Sequence, residues 1–315
     1  MTNIMVNLSQ KKILITGAQG FLGKHLAANL SVERKVPKEN LFLPSFEELD
    51  LRKFEDCQKA VKGIDVVMHL AGLVGGIEFN RKHPGRAFYD NAAMALNLLE
   101  VCRQEGVEKF VGIGSICSYP KFTAVPFKEE YLWSGYPEET NAPYGLAKKF
   151  MLVQSQAYRL EYGLNAVHLL MLNLYGPGDN FDPESSHVIP ALIKKVAEAK
   201  KHNQDYIEAW GTGKATRDFL YVKDAAEGII LAAEKYDKGD PVNLGSGMEI
   251  SIKELAELIC KLMEFKGEIR WDVSKPDGQP RRCLDVSRAE KEFGFKAMTN
   301  FEEGLKTTIQ WFNGL

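Results

Sequence analysis

Lys12-Ile13-Leu14-Ile15-Thr16-Gly17-Ala18-Gln19-Gly20-Phe21-Leu22-Gly23 is the stretch whose reading decides the fold. Its first part is a short apolar run, read as a buried strand. Three glycines follow at a spacing of three, and apolar periodicity then continues to Leu30. The sequence is therefore strand, glycine turn, helix. Gly17 permits the tight turn, Gly20 lets a pyrophosphate approach the backbone, and Gly23 lets the helix pack closely. The helix start adds free N–H groups and the positive end of its dipole. An ordinary glycine-rich turn is the plainer alternative. No lysine-plus-hydroxyl ending follows, which disfavours a P-loop nucleotide hydrolase.

The same alternation continues outward. Asp65–Leu70, Lys109–Gly114 and Asn165–Leu170 read as further buried strands. Residues 87–104 and 144–162 read as long helices. This pattern predicts an α/β protein, a Rossmann-type doubly wound parallel sheet with helices on both faces. Past Leu174 the pattern loosens. Tyr175–Asn180 reads as a loop, residues 188–200 as a helix and Asp218–Val222 as a strand leading to a helix near Asp224. Val242–Leu244 reads as a return to the main sheet. Ser251–Met263 is an amphipathic helix with Ser251 as its cap. A turn at Pro276–Pro280 and a helix over Phe301–Phe312 finish the chain. The expected division is a dinucleotide-binding domain over 1–174 with a return near 215–246, and a smaller, discontinuous substrate lobe over 175–214 and 247–315.

Composition bounds what such a molecule does. The 315 residues carry 40 Lys plus Arg against 42 Asp plus Glu, a formal charge of −2. That balance predicts no nucleic-acid groove and no polybasic membrane surface. Met1–Gln10 does not read as a signal peptide, and no run approaches a membrane span. Cys57, Cys102, Cys117, Cys260 and Cys283 form no CxxC pair, so no metal site is expected and a cytoplasmic location is.

The chemistry is concentrated in a second constellation. Ser115 follows a buried strand, and Tyr144 and Lys148 stand four apart in Tyr-Gly-Leu-Ala-Lys. On a helix, both side chains share one face. A lysine ammonium stabilises tyrosinate and binds a cofactor ribose. The tyrosine then exchanges a proton with an alcohol or ketone whose oxygen Ser115 also hydrogen-bonds, with hydride passing on the other side of that carbon. The bland reading, an aromatic beside a solvated lysine, weakens once Ser115 and the glycine turn are counted with it.

With these residues the chain resembles the extended short-chain dehydrogenase/reductases. Further blocks narrow the resemblance to the GDP-L-fucose synthase group. They are Gly75–Ile77, Ser115–Lys121, Asn141–Lys148, Asn173–Pro177, Asp179–Phe181, Ser186–Pro190, Trp210–Gly213, Arg217–Leu220 and Lys275–Gly278. The resemblance implies 3,5-epimerisation and then NADPH-dependent 4-reduction of a GDP-4-keto-6-deoxymannose. It implies Ser115, Tyr144 and Lys148 as the reductase set, and Cys117 and His187 as the epimerisation pair. Gly17, Gln19, Gly20, Phe21, Leu22, Gly23, Leu70, Ala71 and Lys148 would hold the cofactor. Asn173, Val188, Lys195, Trp210, Arg217 and Asp277 would hold the GDP-sugar. A homodimer is implied as well. Bland readings stand beside these. Cys117 can simply pack, His187 can cap the helix after it, Trp210 can be a core residue and Asp277 can form a turn. The alternatives for the whole chain are an epimerase or reductase of a related GDP-4-keto-hexose or heptose, or a silent dinucleotide-binding protein. A 4,6-dehydratase is disfavoured, because Ile116 and Cys117 replace its acidic pair.

One departure concerns the cofactor. Where the group carries arginines for the 2′-phosphate of NADPH, this chain has Gln19 and Phe46. No acid directly follows the Leu41–Leu43 strand to take an unphosphorylated ribose, and Asp50 is assigned to the adenine-side loop. NADP(H) is thus implied by resemblance, with NAD(H) as the alternative.

Overall fold

The computed structural model describes residues 6–314 apart from positions 184 and 276, and leaves out the side chains at 77 and 78. The Pro276 end of the predicted turn lies outside the described residues. In chain order the elements are β1 (Ile13–Thr16), α1 (Phe21–Val32), β2 (Leu41–Phe42), α2 (Phe54–Val61), β3 (Val66–His69), α3 (Ile77–Lys82), α4 (Pro84–Gln104), β4 (Lys109–Ser115) and α5 (Ala142–Tyr162). Then come β5 (Ala166–Met171), β6 (Asn173–Tyr175), α6 (Val188–Lys201), β7 (Tyr206–Trp210), β8 (Thr216–Tyr221), α7 (Val222–Lys235) and β9 (Val242–Leu244). The last are β10 (Glu249–Ser251), α8 (Ile252–Leu262), β11 (Glu268–Asp272), β12 (Arg281–Arg282), α9 (Ser287–Phe293) and α10 (Phe301–Asn313).

The main sheet is six-stranded and parallel, in the order β2-β1-β3-β4-β5-β9. Side chains alternate across its pleat. Ile13 and Ile15 face one side with Leu26 and Leu30 of α1 and Ile229 and Ile230 of α7. Leu14 faces the other with Val61 of α2, Leu98 and Leu99 of α4 and Met151 of α5. Both faces are covered, so the strands need no polar side, and β1, β3 and β5 are buried throughout. Chain order reverses at β1, with β2 on one side and β3 on the other. The crevice at the carboxyl ends beside that reversal is where such sheets take ligands.

A second core forms the smaller lobe. Ile189, Ile193 and Val196 of α6 pack with Ile207 of β7, Phe219 of β8, Leu255 and Ile259 of α8 and Leu305 of α10. The expected return toward the larger domain near 215–246 begins with a strand outside the main sheet, and Val242–Leu244 joins that sheet as read. Residues 216–221 form β8 of a separate sheet, paired with β6, β10 and β12. Only with α7, which packs on α1, and with β9 does the chain rejoin the larger domain. Three-residue strands such as β6 and β10 are too short for alternation to reveal. Ser251 caps α8 as read, and Glu254 completes a capping box.

Candidate active site

The glycine turn is built as a cradle. Gly17 has φ +73°, and a Cβ there would lie 2.8 Å from the Ala71 amide nitrogen. A Cβ on Gly23 would strike the Gly17 carbonyl. Gly20 is the N-cap of the 12-residue α1 and supplies no side-chain cap, so the first-turn amides keep their donors for a ligand. Thr16 ties the two strand ends together: its hydroxyl accepts from Ala71 N–H at 3.2 Å and is 2.8 Å from His69 Nδ1. Burial, helped by Lys148, pushes the His69 pKa down to about 3, so the ring is neutral. Asn91 clamps the loop beyond, with Oδ1 accepting from Leu73 N–H and Nδ2 donating to the Leu73 carbonyl. These residues fit a dinucleotide, with backbone close enough for phosphate and an added Cβ excluded at Gly17 and Gly23.

Lys148 sits beneath this loop. It is 5% exposed, and a Cβ on Gly72 would meet its Nζ at 3.4 Å. Burial pushes its pKa down to about 8. One turn back on α5, Tyr144 lies near Ser115 at the end of β4, close enough for the serine to influence its ionisation. Burial raises the phenol well above the ordinary tyrosine value, Cys117 adds to that rise, and Ser115 opposes it. The Ser115 hydroxyl also accepts from Cys117 N–H at 3.1 Å. Gly145 lets α5 press against this corner, because a Cβ there would strike the Cys117 carbonyl. Its own carbonyl accepts from the Ser118 hydroxyl at 2.9 Å. Ser115, Cys117, Tyr144 and Lys148 are thus brought together. Cys117 is a free, half-buried thiol.

The smaller lobe supplies the rest. His187 is the N-cap of α6 but makes no side-chain cap bond, which removes the bland reading of it as a helix cap. The residue is exposed, yet the surrounding protein desolvates its imidazole and lowers its pKa. Among the described residues no hydrogen bond joins it to Cys117. Val188 opens α6, and Asn173 donates to the Asp218 carbonyl at 3.3 Å. Pro177 docks the loop between them on α1, its carbonyl 2.7 Å from His25 Nε2.

Trp210 is 58% exposed, which excludes a core role. The ammonium groups of Lys195 and Lys275 lie 5.6 and 5.3 Å from its ring centre. Lys195 also donates to the Glu208 carbonyl, and burial lowers its pKa. Arg217 donates to the Thr216, Gln279 and Asp277 carbonyls, and burial with Arg282 nearby pushes it down to about 10. The Asp277 carboxylate accepts from both Thr212 N–H and Thr212 Oγ1–H, each at 2.7 Å. The sequence reading passed over Thr16, His69 and Asn91, which lie inside strands or helices, and gave Lys275 no role of its own. Among the described residues no group of three or more His, Cys, Asp or Glu side chains is placed to hold a metal ion, and no helix is long and apolar enough to cross a membrane.

A doubly wound sheet, a glycine cradle at its switch point and a Ser–Tyr–Lys cluster beside the cradle define the extended short-chain dehydrogenase/reductase class. The chain belongs to the NAD dependent epimerase/dehydratase family, whose model matches residues 13–245. It is 38% identical over 310 residues to a GDP-L-fucose synthase of Sinorhizobium fredii, covering 98% of this chain and 97% of that one. A GDP-L-fucose synthetase from Naegleria fowleri bound to NADP superposes with a TM-score of 0.90 at 28% identity, covering 99% and 96% of the two chains. A GDP-6-OMe-4-keto-L-xylo-heptose reductase from C. jejuni does so with a TM-score of 0.88 at 29% identity, covering 97% and 98%.

Proposed function

We propose that this chain makes GDP-L-fucose by 3,5-epimerisation and then dinucleotide-dependent 4-reduction of GDP-4-keto-6-deoxy-D-mannose. The observation that carries the reading is the joint placement of Ser115, Tyr144, the Cys117 thiol and buried Lys148 beside the glycine cradle. Full-length similarity to a GDP-L-fucose synthase supports the substrate.

The chemistry follows from the residues. A C4 ketone acidifies the protons at C3 and C5, because their removal gives an enolate. Epimerisation needs one group to take a proton from one face and another to supply it to the other. Cys117 and His187 are that pair. Tyr144 and Ser115 donate hydrogen bonds to the enolate oxygen. When bound, the reduced nicotinamide supplies hydride to C4. Tyr144 supplies the proton to the C4 oxygen, with Lys148 stabilising the tyrosinate left behind. Trp210 lies against the base, while Lys195, Lys275 and Arg217 offset the diphosphate charge.

The test supplies GDP-4-keto-6-deoxymannose with NADPH or NADH in heavy water. Deuterium at C3 and C5, dinucleotide oxidation and GDP-L-fucose are expected together. No exchange and no oxidation would overturn the reading. A second reading keeps the chemistry but takes a GDP-4-keto-heptose, and is favoured by the likeness to the heptose reductase. Turnover of the heptose in preference to the hexose would establish it.

The chain is further proposed to be a cytoplasmic homodimer. Phe88, Tyr89 and Leu96 of α4 and Phe150 and Val153 of α5 are exposed on two adjacent helices, an apolar face that a second copy would cover. Leu96→Glu with Phe150→Glu is expected to halve the mass measured by light scattering, and an unchanged mass would rule this face out.

A further inference from the structure

The end of β2 is where a Rossmann sheet reads the 2′-position of the adenosine ribose, with an acid for a hydroxyl or an arginine for a phosphate. From Leu41 to Leu51 this chain has no Lys or Arg, and three acids, Glu47, Glu48 and Asp50. The first cation, Arg52, is already committed. Its Nε and Nη2 each donate to Asp50 at 2.8 Å, and its Nη1 reaches Asp90 at 3.3 Å. Its guanidinium lies 5.3 Å from the centre of the Phe46 ring, which is 60% exposed.

The glycine turn contributes no charge either. Exposed Gln19 reaches across to β2, its Nε2 donating to the Leu43 carbonyl at 3.3 Å. That leaves its own amide oxygen as an acceptor. The Glu48 carboxylate is held at the start of the loop, 2.7 Å from Ser45 N–H. Lys24, the nearest cation after the turn, is exposed on α1. Apart from Arg52, which is paired with Asp50 and Asp90, the side chains at this edge offer acceptors and a hydroxyl. A ribose diol donates to them. A 2′-phosphate, acceptor-only and carrying nearly two charges, meets carboxylates instead.

We infer that Gln19, Phe46 and the Ser45–Glu48 turn select the dinucleotide without a 2′-phosphate, so that this chain works with NAD(H) in place of NADP(H). The inference rests on the dinucleotide-dependent reading above. It separates this chain from its NADP-bound structural neighbour while leaving the sugar chemistry unchanged.

The test is binding to the whole protein in the absence of sugar. NADH and NADPH are titrated by energy transfer from protein tryptophan, and 5′-AMP and 2′,5′-ADP are compared as competitors. NADH is expected to bind at least about tenfold tighter, and 5′-AMP to compete better than 2′,5′-ADP. Equal or tighter binding of NADPH would overturn the selectivity and leave the reaction standing. Binding of neither dinucleotide would overturn both. Phe46→Arg with Gln19→Arg, its folding checked by its melting curve, is expected to gain NADPH affinity by about tenfold or more. An unchanged ratio in the folded variant would mean that this edge does not read the 2′-position.

Discussion

The Lys148 ammonium lies 5.9 Å from the centre of the Tyr144 ring, one turn further along α5. The two groups are shifted in opposite directions. Burial pushes Lys148 down to about 8 and raises Tyr144 above its ordinary range. Reduction requires a protonated Tyr144 and a charged Lys148, and both hold below about pH 8. As pH rises through that value Lys148 loses its charge while Tyr144 keeps its proton. Reductase kcat/KM is therefore expected to fall above about pH 8, on the lysine limb. Lys148→Met should lower the rate by about 10²–10⁴-fold and abolish that limb. A wild-type profile that stays flat to pH 10 would sink this assignment.

Cys117→Ser separates the two half-reactions. A serine hydroxyl is too weak a base to replace a thiolate. Deuterium exchange at C3 and C5 is expected to drop by about 10²–10⁴-fold. Dinucleotide affinity, which depends on the cradle around Gly17, should stay within about twofold. Exchange at the wild-type rate would remove Cys117 from the mechanism.

These assignments differ in how far the sequence alone carried them. The glycine spacing and the Tyr144–Lys148 step are local, and helix and turn geometry translate them directly into one face or one cradle. The apolar runs of β1, β3, β4 and β5 are equally direct, because a strand buried on both faces leaves an unbroken apolar signature. The cluster of Thr16, His69 and Asn91 is different. Its members come from β1, β3 and α4: the pairing of β1 with β3 sets Thr16 beside His69, and the packing of α4 brings Asn91 to the loop after β3. The same holds for Lys275, whose position over Trp210 depends on β11 pairing with β7. Contacts made by strand pairing leave no spacing to read.

His187 is expected to titrate below the ordinary histidine value of about 6.5, because desolvation disfavours its charged form. Its ring is then mainly neutral at pH 7, ready to accept a proton. A pH titration of the His187 ring signals by NMR, assigned with His187→Gln, checks this directly. A midpoint at or above 6.5 would show that solvent reaches the ring freely enough to cancel the effect of the surrounding protein.

The Asp277 carboxylate, read from the sequence as a nucleotide contact, accepts from the Thr212 amide and hydroxyl. A Cβ on Gly211 would strike that carboxylate, so the Trp210–Gly213 turn is fitted closely around it. We propose that Asp277 is a positioning residue. It holds the turn from which Trp210 projects, beside Lys195 and Lys275. Asp277→Ala removes both acceptors and should raise KM for the GDP-sugar by about five- to tenfold, the worth of roughly 1 kcal/mol of hydrogen bonding. Since β4 and α5 hold the reacting groups independently, kcat should not change. Asp277→Asn keeps one acceptor oxygen for Thr212 and should recover most of the loss. If the carboxylate instead bound the base directly, the asparagine variant would be as impaired as the alanine one, since it is the charge and both oxygens that a guanine edge would require.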